Sequence, residues 1–227
     1  MSHPDLIKSY FESLDNYDYV AERVVPYNKE IHEKILSEVS IWAPKDFDLV
    51  DLGIGPGEVD EKILEKYPGA HVTGIDISEK MLDSARLKLH KFSERAKLVK
   101  GDFDFADLGP ERDFIISSIA IHNSADDDKM KLFDRIYDSL SDKGLFINAD
   151  FIAGEDPQDD ERDRRWYFHF LEQHLKGTEL ETWIMHAFYE DNPAKLSDQF
   201  KWLGESGFRK VECTWKKMNL AVYVAYK

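Results

Sequence analysis

Phe47-Asp48-Leu49-Val50-Asp51-Leu52-Gly53-Ile54-Gly55-Pro56-Gly57 is an apolar run that breaks into three glycines at alternate positions. Such a run reads as a buried strand opening onto a turn where backbone comes close to a ligand or takes positive φ, which glycine does at least cost. Just beyond it, Glu58 to Tyr67 place Val59, Ile63, Leu64 and Tyr67 near one helical face, so free N–H groups of a helix start stand next to the glycines.

Working outward, Tyr67-Pro68-Gly69 stops that helix, and Ala70 to Asp76 reads as a second strand ending in an acid, which completes a βαβ unit. Ser78 is a good N-cap for a helix whose stripe is Met81, Leu82, Ala85, Leu89 and Phe92. A third strand, Ala96 to Lys100, ends at Gly101-Asp102-Phe103. Asp113 to Ala120 is apolar almost without alternation, as suits a central parallel strand covered on both faces. Asp126, Asp127 and Asp128 fit a helix's first turn, with Leu132, Phe133, Ile136, Tyr137 and Leu140 inward and Lys143-Gly144 as the stop. Leu145 to Ile152 is the fifth strand.

Upstream, Tyr17 and Tyr19 belong to a weakly helical aromatic segment, and Ile31, Ile35, Leu36 and Val39 mark a helix over about Asn28 to Val39. Downstream the alternation breaks into two aromatic helical segments, at roughly 159–175 and 179–190. A further helix starts at Asn192-Pro193 and ends at Gly207. A hairpin of Phe208 to Lys216 and Asn219 to Tyr226 closes the chain. The pattern predicts an α/β fold: a Rossmann-like seven-stranded, mostly parallel sheet with helices on both faces, an antiparallel C-terminal strand and a helical lid insertion. Residues 1–44 read as an N-terminal helical cap segment, and 45–227 as a single domain with the insertion at about 153–191.

With 227 residues, 42% of them hydrophobic, the chain can bury one good core. The formal charge of −15 is spread along the chain and offers nucleic acid no broad basic footprint. No apolar run reaches membrane-spanning length, there is no signal-peptide pattern, and Cys213 is alone, so a cytoplasmic protein with neither nucleic acid nor membrane as partner is expected. Cys213 itself reads as a packed, small apolar side chain.

The sequence resembles the class I S-adenosylmethionine-dependent methyltransferases over about residues 45–227. The resemblance rests on Val50 to Gly57, on Asp76 ending the second strand, on Gly101-Asp102-Phe103 after the third, and on Ser117 to His122 after the fourth. It implies S-adenosyl-L-methionine as cofactor, S-adenosyl-L-homocysteine as product, and Asp51, Gly53, Gly55, Gly57, Asp76, Ile77, Met81, Asp102, Phe103, Ser118 and Ile119 as cofactor-binding residues. A carboxylate at the tip of the second strand can accept hydrogen bonds from both ribose hydroxyls, the role assigned to Asp76. By the resemblance, Asp102 accepts the adenine 6-amino group while Phe103, Ile77 and Met81 enclose the ring. Asp51 is out of place in an apolar core unless a cation of the ligand faces it.

Methyl transfer asks for placement more than for protein chemistry, because the sulfonium carbon is already an activated electrophile open to in-line displacement. His122 is the candidate catalytic residue, an imidazole able to take a proton from the acceptor; its other reading is a histidine that packs or bonds the next helix start. Tyr17, Tyr19, Tyr27, Trp166, His169, Trp183 and His186 are expected around a small-molecule acceptor under an aromatic lid. No metal is expected, and a monomer or homodimer is expected. Arg23 to Asn28, Leu132 to Leu140 and Asn219 to Val222 also look, more loosely, like the carboxy-S-adenosylmethionine synthases of tRNA wobble modification, although no basic residue for the added carboxylate is identifiable. A non-catalytic cofactor-binding module is a further alternative. A nicotinamide dehydrogenase would need GxGxxG, and position 58 is Glu.

Overall fold

The structure is a computed structural model that describes residues 17–227, with side chains from Val20 onward. The expected pocket residues Tyr17 and Tyr19 enter it through their backbone alone, and their side chains lie outside the described residues. Helices α1 (Tyr17–Val24) and α2 (Asn28–Trp42) precede β1 (Asp46–Leu52), which is followed by α3 (Glu58–Lys66), β2 (Gly69–Asp76), α4 (Glu79–Lys88) and β3 (Ala96–Lys100). Then come β4 (Arg112–Ser118), α5 (Asp126–Ser139) and β5 (Leu140–Phe151). The chain ends with α6 (Pro157–His174), α7 (Gly177–Met185), a π turn (His186–Glu190), α8 (Leu196–Ser206), β6 (Lys210–Lys217) and β7 (Leu220–Tyr226).

The seven strands form one sheet in the order β3-β2-β1-β4-β5-β7-β6. β1 to β5 run parallel, and β7 lies antiparallel between β5 and β6. Alternate strand residues face opposite layers. Leu49, Phe114, Ile116 and Val222 meet Ile31, Ile35, Ile63 and Leu82 of α2, α3 and α4, together with Tyr167 and Leu171 of α6. Val50, Ile115, Phe146 and Tyr223 meet Leu132, Phe133 and Ile136 of α5 and Leu203 of α8. Each fully buried Leu, Ile or Phe contributes on the order of 2 kcal/mol, so the two layers hold the sheet from both sides as its apolar central strands require. The order reverses between β1 and β4, and the carboxyl ends of those two strands flank the crevice where ligands bind in open α/β sheets.

The structure departs from the sequence reading at Lys143-Gly144, at Asn192-Pro193 and at Cys213. The α5 helix ends at Ser139, and Lys143-Gly144 lies inside a longer β5 beside a register shift at Arg112/Phe114. A Cβ on Gly144 would stand 2.8 Å from the Arg112 carbonyl oxygen, so the glycine serves strand packing and is no helix stop. The last helix starts at Leu196 because Asn192 is used elsewhere, as described below. Cys213 is exposed on edge strand β6, next to the register shift at Cys213/Trp215, and is no packed core residue.

Candidate functional site

Gly53, Gly55 and Gly57 all take positive φ. A Cβ on Gly53 would come within 2.6 Å of the Ala120 Cβ and 3.7 Å of the Phe103 ring, so the turn after β1 lies directly on the loops that follow β3 and β4. Asp76, at the tip of β2, ties this turn in place: Gly55 N donates to its Oδ2 at 2.9 Å and Ser78 N to its Oδ1 at 2.8 Å. Burial pushes the Asp76 carboxyl up to about 6, against the backbone N–H groups of Ser78, Gly55 and Ile77 that favour its ionised form.

A cavity of about 200 Å³ opens beside this turn, lined by Gly53, Gly55, Asp76, Ile77, Met81, Asp102, Phe103, Ser118 and Ile119 among others. Nine of the eleven expected cofactor residues thus share one hollow. Asp51 lines a smaller, adjoining cavity of about 50 Å³ with Val25, Asn28 and His32, and the two hollows share Gly53, Gly55, Ser118 and Ile119. Gly57 lines neither; it caps α3 in a left-handed conformation and packs on Leu89. Asp104 also lines the larger hollow, accepting from Ser124 Oγ at 2.7 Å, and burial raises its carboxyl to about 6.

His122 sits in the short 3₁₀ turn Ile121–Asn123 after β4 and is buried. Both of its donors on that side go to Asp150 of β5: the backbone N to Oδ2 at 2.8 Å and ring Nδ1 to Oδ1 at 2.6 Å. With the Nδ1 proton on Asp150, Nε2 is the basic nitrogen of the neutral ring. Nε2 lies 3.3 Å from Asn123 Nδ2 and 3.7 Å from Asp191 Oδ2. Asp191 in turn stands 3.5 Å from Nε2 of His186, whose Nδ1 is 3.2 Å from Glu190. Burial alone would lower the His122 pKa, but the charges of Asp150 and then Asp191 outweigh it and hold the imidazole above its ordinary value.

His122, Trp183, His186 and Asp191 line a third, small cavity of about 20 Å³ with Val25, Ile119, Phe151 and Tyr167. Ile119 therefore borders all three hollows. It does so at φ 54, a conformation rarely taken by a β-branched residue and characteristic of functional sites. The other expected acceptor residues lie elsewhere. Tyr27 is exposed and stacks on Trp166 with ring centroids 5.9 Å apart, and His169 is an exposed partner of Glu172. One helix cannot turn successive residues to the same side, and α6 turns Tyr167 and Leu171 inward instead.

The loop that carries Asp191 is clamped to the His122 turn. Asn192 N donates to the His122 carbonyl at 2.9 Å, and its side-chain amide donates to Ser124 O at 3.1 Å. The buried Lys129 of α5 donates to both the Asn192 carbonyl and Asp126. Asp150, Asp191 and Asn192 were not legible as site residues in sequence; the only hint was polar residues at the end of an otherwise apolar strand.

Residues 49–144 match the family described as "Methyltransferase domain". An uncharacterized methyltransferase of Bacillus mycoides is 30% identical over 185 residues, 77% of this chain and 83% of that protein. A carboxy-S-adenosyl-L-methionine synthase of Campylobacter lari is 24% identical over 213 residues, 93% of this chain and 90% of its own. Among solved structures, magnesium protoporphyrin IX methyltransferase of Synechocystis PCC 6803, with bound S-adenosylmethionine, superposes with a TM-score of 0.69 at 16% identity, covering 100% of this chain and 98% of that one.

Proposed function

This chain belongs to the class I S-adenosylmethionine-dependent methyltransferases, with S-adenosylmethionine as its cofactor, and on that premise we propose that it methylates a small-molecule acceptor whose O–H or N–H is deprotonated at His122. The residues present fit the cofactor. Asp51 Oδ1 is buried without a hydrogen-bond donor among the described residues, as a group reserved for a ligand cation would be. The Gly53 position has no room for a side chain. In this reading Asp51 faces the amino-acid end, Asp76 the ribose, and Asp102 with Phe103, Ile77 and Met81 the adenine. The cofactor supplies an activated methyl group for in-line displacement.

The chain's own contribution is placement and proton handling. Asp150 fixes the His122 tautomer and stabilises the imidazolium that forms when Nε2 takes the acceptor proton. Trp183, Tyr167 and Phe151 exclude water around that nitrogen, and Asp191 with His186 extends the polar path toward Glu190, which is partly exposed. The observation that carries the reading is the His122–Asp150 pair at a hollow that shares Ile119 with both cofactor-side hollows. The segment over about 153–191 would then act as the acceptor lid on a single domain begun near residue 45, with residues 1–44 as a cap.

The full-length similarity to carboxy-S-adenosylmethionine synthases supports a second reading, modification of the cofactor itself. Against it, no Lys or Arg lines any of the three hollows among the described residues, so an added carboxylate would meet no permanent cation there. Incubation with methyl-labelled cofactor and a cell extract decides between them. A labelled small molecule, lost in His122→Gln, is expected. A carboxylated cofactor with no labelled acceptor would establish the second reading, and label confined to RNA or protein would overturn the acceptor class.

A further inference from the structure

Asp51 and Asp60 form a buried acid pair that the transfer chemistry does not use. Asp51 is the last residue but one of β1, and Asp60 lies in the first turn of α3. Asp51 is 3% exposed and Asp60 not at all. Apart from the contact of the two carboxyls with each other and the backbone N–H of Asp60 itself, Oδ1 of Asp51 and both carboxyl oxygens of Asp60 have no hydrogen-bond partner among the described residues. An ionised carboxylate so placed is costly, and two within reach of each other cannot both carry their charge.

Among the described residues, no cation figures among the groups that set the charge of Asp51 or Asp60. From β2, Asp76 adds a third negative charge. From α2, His32 lines the same hollow as Asp51, with its Nδ1 3.4 Å from Glu58 of α3, and Lys88 of α4 lies 3.7 Å from that same Glu58. Within the pair, a proton shared by one carboxyl with the other carboxylate is the remaining remedy. Burial first, and then the negative charge of Asp60, raise the Asp51 carboxyl well above its ordinary value, and burial raises Asp60 to about 6.

We propose that Asp51 and Asp60 hold one proton between them in the cofactor-free protein, and that the α-ammonium of S-adenosylmethionine displaces that proton into solvent on binding. This rests on the reading that Asp51 faces the amino-acid end of the cofactor. Asp60 does not line the hollow, so it acts through Asp51 as a positioning residue: it stores the proton that keeps Asp51 neutral while no ligand cation is present. The balance is one cation in and one proton out, and the acid pair selects for ligands that carry an amino-acid ammonium.

Calorimetry at about pH 6.5, in two buffers of different ionisation enthalpy, counts the protons: about one should leave per S-adenosylmethionine or S-adenosylhomocysteine bound, and almost none with 5′-methylthioadenosine, which lacks the amino-acid end. Below the ionisation of the pair, affinity for S-adenosylmethionine should rise by up to about tenfold per pH unit. In Asp60→Asn the amide donates to Asp51 and leaves it ionised, so proton release should fall to less than about a third and the pH slope should flatten. Binding heats that do not depend on the buffer, equal release with methylthioadenosine, or full release in Asp60→Asn would overturn the proposal. If the variant does not fold, the two ligands on the unaltered protein decide alone. S-adenosylmethionine bound without proton release sinks the proposal and leaves the cofactor assignment standing; a protein that binds neither ligand loses both.

Discussion

The half of the site assigned to the cofactor and the half assigned to the acceptor are built in different ways. The first is made at strand tips by residues that follow their strands directly: Gly53 and Gly55 after β1, Asp76 and Ile77 at β2, Asp102 and Phe103 after β3. Parallel strands bring their carboxyl ends to one edge, so the sheet alone assembles these residues. The second gathers Val25, His122, Phe151, Tyr167, Trp183, His186 and Asp191 from seven places in the chain, and packing of α1, α6, α7 and the π turn over the sheet brings them together. Backbone topology builds the donor side, whereas side-chain packing builds the acceptor side.

If the two halves are separate in this sense, changes in one should leave the other's readout alone. His122→Gln should lower turnover by roughly 10²–10⁴-fold while S-adenosylmethionine affinity, measured by calorimetry, stays within about twofold. The same experiment has a pH form. Because Asp150 and Asp191 hold the His122 pKa above its ordinary value, turnover should rise with pH and level off only above that value, and Asp150→Asn should move the rise to lower pH. A joint loss of cofactor binding would break the division.

Asp76→Ala removes the acceptor for Gly55 N and Ser78 N as well as the proposed ribose contact, and should weaken cofactor binding by about a hundredfold. Gly53→Ala meets both a positive φ and the Ala120 Cβ; a cost of about 1–3 kcal/mol should appear as a lower melting temperature and roughly tenfold weaker cofactor binding. The smallest effects sharpen the acceptor side. Trp183→Ala should raise the acceptor KM several-fold, about 1 kcal/mol of lost contact, whereas His169→Ala, at an exposed position, should change it by less than about twofold. Equal effects would show that the acceptor reaches beyond the hollow beside His122.

What could be read from sequence follows the same division. Gly53, Asp76, Asp102 and the strand rhythm are local signals, each carried by a few adjacent residues with one physical meaning, and the sheet and its topology followed from them. The aromatic segment could be recognised as a ring-rich insertion outside the regular sheet, but not which ring turns inward: Trp183 does, while Trp166 instead stacks on Tyr27. Helical phase across a π turn, and contacts between residues more than a hundred positions apart such as Tyr167 Oη to the Val24 carbonyl, leave no local trace. Asp150 and Asp60 were invisible for another reason. Each is an acid in an element whose neighbours explain it only after folding, when one meets a histidine and the other meets Asp51.

The bridge between Ala153 and Lys195 closes the segment that carries α6, α7 and the π turn at its two ends, and the Ala153 N–H reaches the Ala194 carbonyl at 3.1 Å. Entry and exit thus meet just beyond the carboxyl end of β5. A segment held that way can change in length and composition with little disturbance to β5, α8 or the glycine turn, provided a residue like Asn192 still fastens its exit to the His122 turn. On the proposed reading it is a cassette: exchanging it should alter the choice of acceptor while the glycine turn and the strand tips on the cofactor side are inherited unchanged.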